Sequence, residues 1–173
     1  NKAHSNLGKQ FSDHTIQRTY QALAWGVLRP LNGKIETLIG RSRKNRQLMS
    51  VTEITGKKSI TNYKTLKVFN IKDVPKISFL ECKLETGRTH QIRVHMAYKG
   101  NSLLGDQQYG KKNLRFKKIN EEFEDKLKVL SRQALHAKSL GFIHPTSKKL
   151  ISFESKLPKD FKKILDLLNK LSH

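Results

Sequence analysis

The densest run of residues able to do chemistry lies between Glu85 and His95, reading E-T-G-R-T-H-Q-I-R-V-H. Arg88, His90, Gln91, Arg93 and His95 place five hydrogen-bonding side chains within eight residues. Gly87 permits a tight turn between strand and helix, and Thr89 is placed to cap the helix that follows. Donors and cations near a helix N-terminus form a natural anion or phosphate site. An ordinary basic amphipathic helix gives the same pattern, so both readings stand at this level. Outside this run, Tyr20 has Arg18 as a near neighbour, Asp106 follows Leu104-Gly105, and His136 and His144 bracket a short segment. Their ordinary readings are a core tyrosine, a turn aspartate, a core histidine and a turn histidine.

Several chemistries are disfavoured. His90 and His95 are five apart and lack the intervening Glu of H-E-x-x-H, so no metal site is expected. Neither G-x-x-x-x-G-K-[ST] nor G-x-G-x-x-G occurs, and no G-x-S-x-G elbow is present. No nucleotide cofactor is therefore expected.

The chain has 173 residues, 35 Lys plus Arg against 14 Asp plus Glu, and a formal net charge of +21. Such a charge suits a polyanion, above all nucleic acid, because each phosphate contact releases condensed counterions. Of the 35 cations 26 are Lys, so a composition-wide lysine enrichment is the competing explanation. The single cysteine, Cys82, excludes a disulfide scaffold and a four-thiolate zinc site. No run of about 18 apolar residues marks a membrane span, no secretory signal is visible, and a cytoplasmic location is expected.

Mixed elements must position these residues. Residues 1–12 read as a helix, 16–28 as a long strand, and 34–40 and 47–52 as short strands around the basic turn 41–46. Strands are also expected over 63–70 and 77–85, with Ile77, Phe79 and Leu84 buried, then a helix over 89–99 and a loop over 101–110. Residues 111–118 (KKNLRFKK) read as an exposed basic excursion that reverses to acidic over 121–125. Strands over 134–143 and 150–154 precede a final helix opened by Pro158, with Phe161, Ile164, Leu165, Leu168 and Leu171 as its apolar stripe. Consecutive strands without helices between them predict a mixed α/β (α+β) domain with a mainly antiparallel sheet.

The ordered motifs resemble one family over about residues 7–168. T-G-R-T-H-Q-I-R-V-H-M-A, then Leu104-Gly105-Asp106-x-x-Tyr109-Gly110, then Arg132-Gln133-Ala134-Leu135-His136-Ala137 and His144-Pro145 look like the RNA pseudouridine synthases of the bacterial ribosomal large-subunit group. Ile16-x-Arg18-x-Tyr20-x-Ala22, Ile39-x-Arg41 and Arg46-x-x-Met49-x-Val51 agree. The pair Ile39-x-Arg41 with Arg46-x-x-Met49-x-Val51 is most similar to the subgroup modifying the large-subunit interface stem-loop.

The resemblance implies the pseudouridine synthase catalytic-domain fold and an isomerase that turns uridine into pseudouridine in large-subunit ribosomal RNA, with no cofactor and no metal. A non-catalytic RNA-binding module that kept the fold is the alternative. The family's essential Asp lies in a His-Arg-Leu-Asp motif, and none of the six aspartates here follows that pattern. The expectation is a single catalytic domain over 1–173 that lacks its N-terminal portion and is inactive alone. By resemblance, Tyr20 is the active-site tyrosine that stacks near the base and takes the C5 proton. Arg93 is the arginine that pairs with the catalytic carboxylate, as a nucleophile near a cation requires. Arg88 and His90 are either structural or RNA-contacting, and Gln91 joins them as a candidate. Arg41 and Arg43 in the basic turn, with Lys111 and Lys112, are candidate phosphate contacts or else solvated loop residues. Asp106 is expected to shape its loop rather than act as nucleophile.

Overall fold

The computed structural model describes residues 2–13, 15–72, 74–110 and 121–172. Lys111 and Lys112 lie outside these residues. The elements in chain order are α1 (Lys2–Ser12), β1 (Gln17–Trp25), β2 (Asn32–Arg41), β3 (Met49–Thr52), β4 (Lys57–Phe69), β5 (Ile77–Leu84), α2 (Gln91–Tyr98), α3 (Glu121–Leu130), β6 (Leu135–Ile143), β7 (Leu150–Glu154) and α4 (Lys159–Leu171). Seven strands form one sheet in the order β3-β2-β4-β5-β1-β6-β7. Every neighbouring pair is antiparallel. The mixed class and antiparallel sheet are those expected from the sequence.

Strand β1 shows how alternation builds two cores. Successive side chains point to opposite faces. Leu23 and Trp25 enter one core with Phe161, Ile164 and Leu168 of α4 and Phe123 and Leu130 of α3. Ala22 and Ala24 enter the other core with Ile92 and Met96 of α2 and Leu80 and Cys82 of β5. Small alanines on that face let α2 lie close to the sheet. Each fully buried large side chain contributes roughly 1.5–3 kcal/mol of transfer free energy, so both layers add to stability. Among the described residues, no helix is long and apolar enough to cross a membrane.

Four expectations change. The acidic stretch after residue 120 opens a helix rather than continuing an excursion. Glu121, Glu122 and Glu124 occupy the first turn of α3, where carboxylates suit the helix dipole, and Phe123 and Leu130 are buried seven residues apart. The strand expected over 16–28 ends at Trp25, with Gly26 in the left-handed region at φ 79°. Thr89 does not cap α2. His90 takes that position, with left-handed backbone (φ 56°, ψ 21°) and no side-chain cap bond. Phe79 and Leu84 are only partly buried.

Candidate active site

The Arg88–His95 run is divided by burial into groups that hold the fold and groups that face a cavity. Gln91 is 2% exposed, and its amide is fully used. Its Oε1 accepts from the Thr86 hydroxyl at 2.8 Å and from the Arg88 N–H at 3.0 Å. Its Nε2 donates to Ile60 O at 2.9 Å and to Thr61 Oγ1 at 3.0 Å. Two acceptances and two donations exhaust a carboxamide, so Gln91 ties α2 to β4. Gln91 also borders the cavity of Tyr20 and Arg93, but its amide has no donor or acceptor left over, which does not fit the expectation that it hydrogen-bonds RNA.

His95 is fully buried. Its ring is bonded to Thr37 Oγ1 at 2.9 Å through Nε2 and to Thr61 Oγ1 at 2.8 Å through Nδ1. Burial pushes its imidazole down to about 4, so the ring is neutral and one hydroxyl donates while the other accepts. His90 turns the other way. Its Nδ1 meets Tyr109 Oη at 2.8 Å, and the left-handed backbone, unusual for a residue with a Cβ, aims it there. Burial, helped by Arg93 and Arg41 against the pull of Asp106, holds His90 below the usual histidine value. The two histidines thus serve separate partners.

Arg93 is the centre of the arrangement. It is 7% exposed, and its Nε and Nη2 donate to the two carboxylate oxygens of Asp106, each at 2.8 Å. Nη2 also donates to Gln108 Oε1 at 2.8 Å, and the guanidinium stands over the Tyr109 ring at 4.8 Å. Nη1 has no hydrogen-bond partner among the described residues. Asp106 accepts further N–H bonds from Gln108 at 3.1 Å and Tyr109 at 3.0 Å. Burial alone would raise the Asp106 carboxyl, but Arg93 and the two amides outweigh it and hold it below the usual range. Asp106 therefore shapes its loop, as expected, and also clamps Arg93. Gly105, at φ 71°, brings the chain into that turn so close to Arg132 O that a Cβ would overlap it.

Tyr20 and Arg93, expected together from the sequence, line one cavity of about 220 Å³ with Arg88, His90, Gln91, Gln133 and Leu135. No acidic side chain lines it among the described residues. Arg88 is anchored at one end, its Nε donating to Lys58 O at 3.1 Å. Arg41 and Arg43 lie elsewhere, on a cavity of about 630 Å³ between β2, β3 and the turn, with Arg46 and Lys57. Tyr109 joins the two places: its hydroxyl receives the Met49 N–H at 3.0 Å while contacting His90. Of the other motif residues, His136 Nε2 meets Ser155 O at 3.0 Å and the Ser147 N–H donates to His144 Nδ1 at 3.1 Å. Both are the structural roles expected.

Two cleft residues were not singled out as site candidates from the sequence. Gln133 borders the Tyr20 cavity, and its motif was the only signal. Arg18 shares a face of β1 with Tyr20 by strand alternation and borders an adjoining cavity that Tyr20 also lines. Gly87 likewise needs reinterpretation. Its backbone is not left-handed; instead, a Cβ there would overlap Arg18 Nη1.

Comparison with known proteins agrees with this geometry. The sequence model of the family described as RNA pseudouridylate synthase matches residues 1–98. A protein of Zymomonas mobilis named ribosomal large subunit pseudouridine synthase D is 43% identical over 167 residues, covering 96% of this chain and 49% of that protein. An uncharacterized RNA pseudouridine synthase of Chlorobaculum parvum is 39% identical over 166 residues, covering 92% of this chain and 49% of its own length. The chain thus spans about half the length of these curated relatives. The solved structure of human RNA Pseudouridylate Synthase Domain Containing 1 shares the fold, with a TM-score of 0.68 at 23% identity over 98% of this chain and 72% of that one. With a family match over more than half its length and the Tyr20–Arg93 cavity in place, this chain belongs to the RNA pseudouridylate synthase family.

Proposed function

We propose that the protein isomerises uridine to pseudouridine in RNA, with large-subunit ribosomal RNA as its substrate. The observation that carries the reading is the cavity shared by Tyr20 and Arg93, with Arg88 as a second cation and no acidic side chain among the described residues. The reaction breaks the N-glycosidic bond, turns the base and rejoins it through C5, so the uridine must leave its stack to enter the cavity. Tyr20 meets the base and accepts the C5 proton. Arg93, locked by Asp106 on its Nε–Nη2 edge, presents Nη1 to the nucleophilic carboxylate and holds that carboxylate ionised. Asp106 is fully committed to this clamp and is not the nucleophile. The family's His-Arg-Leu-Asp motif does not occur in this sequence, so the carboxylate comes from a residue outside it. Exposed Arg41 and Arg43 supply phosphate contacts on the hairpin, and Arg88 and His90 border the entering strand.

A second reading, an RNA-binding module without chemistry, is favoured by the same lack of an acidic side chain in the cavity. Release of tritium from RNA labelled at uridine C5 separates the two. The full-length protein should release tritium, the 173-residue segment alone should not, and Arg93→Ala in the full-length protein should abolish release. Release by the segment alone would remove the outside carboxylate. Near-normal release by Arg93→Ala would remove Arg93 from the role, and binding without release by the full-length protein would favour the module.

A further inference from the structure

Arg18 is a cation without a counterion among the described residues. Its Nε is buried and has no hydrogen-bond partner among the described residues. Its guanidinium stands over the Phe11 ring at 5.6 Å, with Nη1 against the space that a Cβ at Gly87 would take. Burial pushes its pKa down, and nearby Arg88 pushes it the same way, while Tyr20 opposes both. Glu154 lines the same cavity of about 370 Å³ but forms no ion pair with Arg18 among the described residues. An unpaired, partly buried cation is costly unless a charge reaches it. The packing keeps this one in place: the aromatic ring fixes its plane, and the bare Gly87 leaves room for its tip.

We propose that Arg18 grips a backbone phosphate of the RNA strand, one flanking the nucleotide that meets Tyr20. The inference rests on the RNA-directed function proposed above. A guanidinium matches phosphate as a planar two-pronged donor. Arg18 and Tyr20 are two residues apart on one face of β1, so a phosphate on Arg18 sits one side-chain width from the base site. Arg88 then adds to the same field instead of repelling an uncompensated neighbour. Gly87 has a defined part in this. It is the seat of the Arg18 side chain, and the atom in its way is the far end of a flexible chain. A methyl group there displaces the guanidinium without disturbing the backbone.

The test measures RNA affinity against salt for the full-length protein, using a single-stranded uridine-containing RNA, alongside tritium release. Each phosphate contact on a single strand contributes ~0.7 to the slope of log affinity against log salt. Arg18→Ala should lower that slope by about this amount and weaken binding about fourfold at ~0.15 M salt. Gly87→Ala should lose the same slope with an unchanged melting temperature, and Arg18→Lys should keep most of it. A folded Arg18→Ala or Gly87→Ala variant with the wild-type slope overturns the proposal, since no phosphate contact would then run through Arg18. If Arg18→Ala fails to fold, Gly87→Ala decides by the same criterion. A wild-type protein that binds RNA without salt dependence and releases no tritium removes the RNA function itself. A wild-type protein that is active while both variants keep its slope removes only the role of Arg18.

Discussion

Two cationic regions lie side by side on this protein, and they are built on different principles. In the Tyr20 cavity Arg93 is nearly buried, and a carboxylate, a carboxamide and an aromatic ring set its orientation. On the β2–β3 hairpin Arg41, Arg43 and Arg46 stand in solvent, and the contact from Arg41 Nη1 to Arg46 O is long, at 3.4 Å. The first region fixes one nitrogen in a direction; the second supplies charge in a general place. Chemistry at a glycosidic bond needs the former, because misplacing a catalytic group by an ångström forfeits much of its effect. Attraction of a phosphate backbone needs only the latter.

The contrast is most easily broken at Asp106. Asp106→Asn keeps the shape and removes the charge that balances Arg93. Removing one partner of a buried pair costs about 3–5 kcal/mol, so a denaturant titration should show a loss of that order. Near wild-type stability would mean that Arg93 is held by Gln108 and Tyr109 alone.

Acid offers a second way to separate the parts. His95 is neutral in the folded protein down to about 4, whereas an unfolded histidine takes its proton near ~6.5. The unfolded state therefore binds more protons in that interval, and stability falls as pH drops through it. The expected loss is roughly 3 kcal/mol between pH ~6.5 and ~4. Asp106 adds a later loss, since its folded carboxyl lies below the unfolded value of ~3.9 and its contribution fades only as pH falls past that. Denaturant midpoints measured across this range should decline in two stages. A flat response down to pH ~4 would show that the Thr37–His95–Thr61 chain accepts a charged ring.

The hairpin should respond least. Arg43→Ala should leave the melting temperature almost unchanged, as surface substitutions do, while lowering the salt slope of duplex RNA binding by up to ~0.9. An unchanged slope would make Arg43 a solvated residue rather than a phosphate contact.

Much of this was legible from residue order. The long strand β1, the stripe of α4 and the absence of helices between early strands are local patterns, and the sheet followed them. Helix α3 was missed because its acidic first turn reads as a charge reversal until Phe123 and Leu130 are seen packing on Trp25 and α4. In the site, the motifs brought Tyr20 and Arg93 together correctly, and Asp106 was read as shaping its loop. Gln91 was misread because one residue type serves equally at a phosphate or inside a core. The difference lay in Ile60 and Thr61, which are distant along the chain and take both amide donors, while Thr86, five residues away, satisfies the oxygen.

By itself the sequence determined the family resemblance, the excess of positive charge, the alternating strands and the polar run from Arg88 to His95. These depend on side-chain type and short spacing, which residue order carries completely. Only the tertiary structure decided which of the clustered polar groups face the cavity. Burial and hydrogen-bond partnership are set by segments far apart in the chain: β4 takes Gln91 and His95, the loop at Asp106 takes one edge of Arg93, and Gly87 makes room for Arg18. The same charge therefore acts as scaffold, as tool or as attraction according to what the fold places against it.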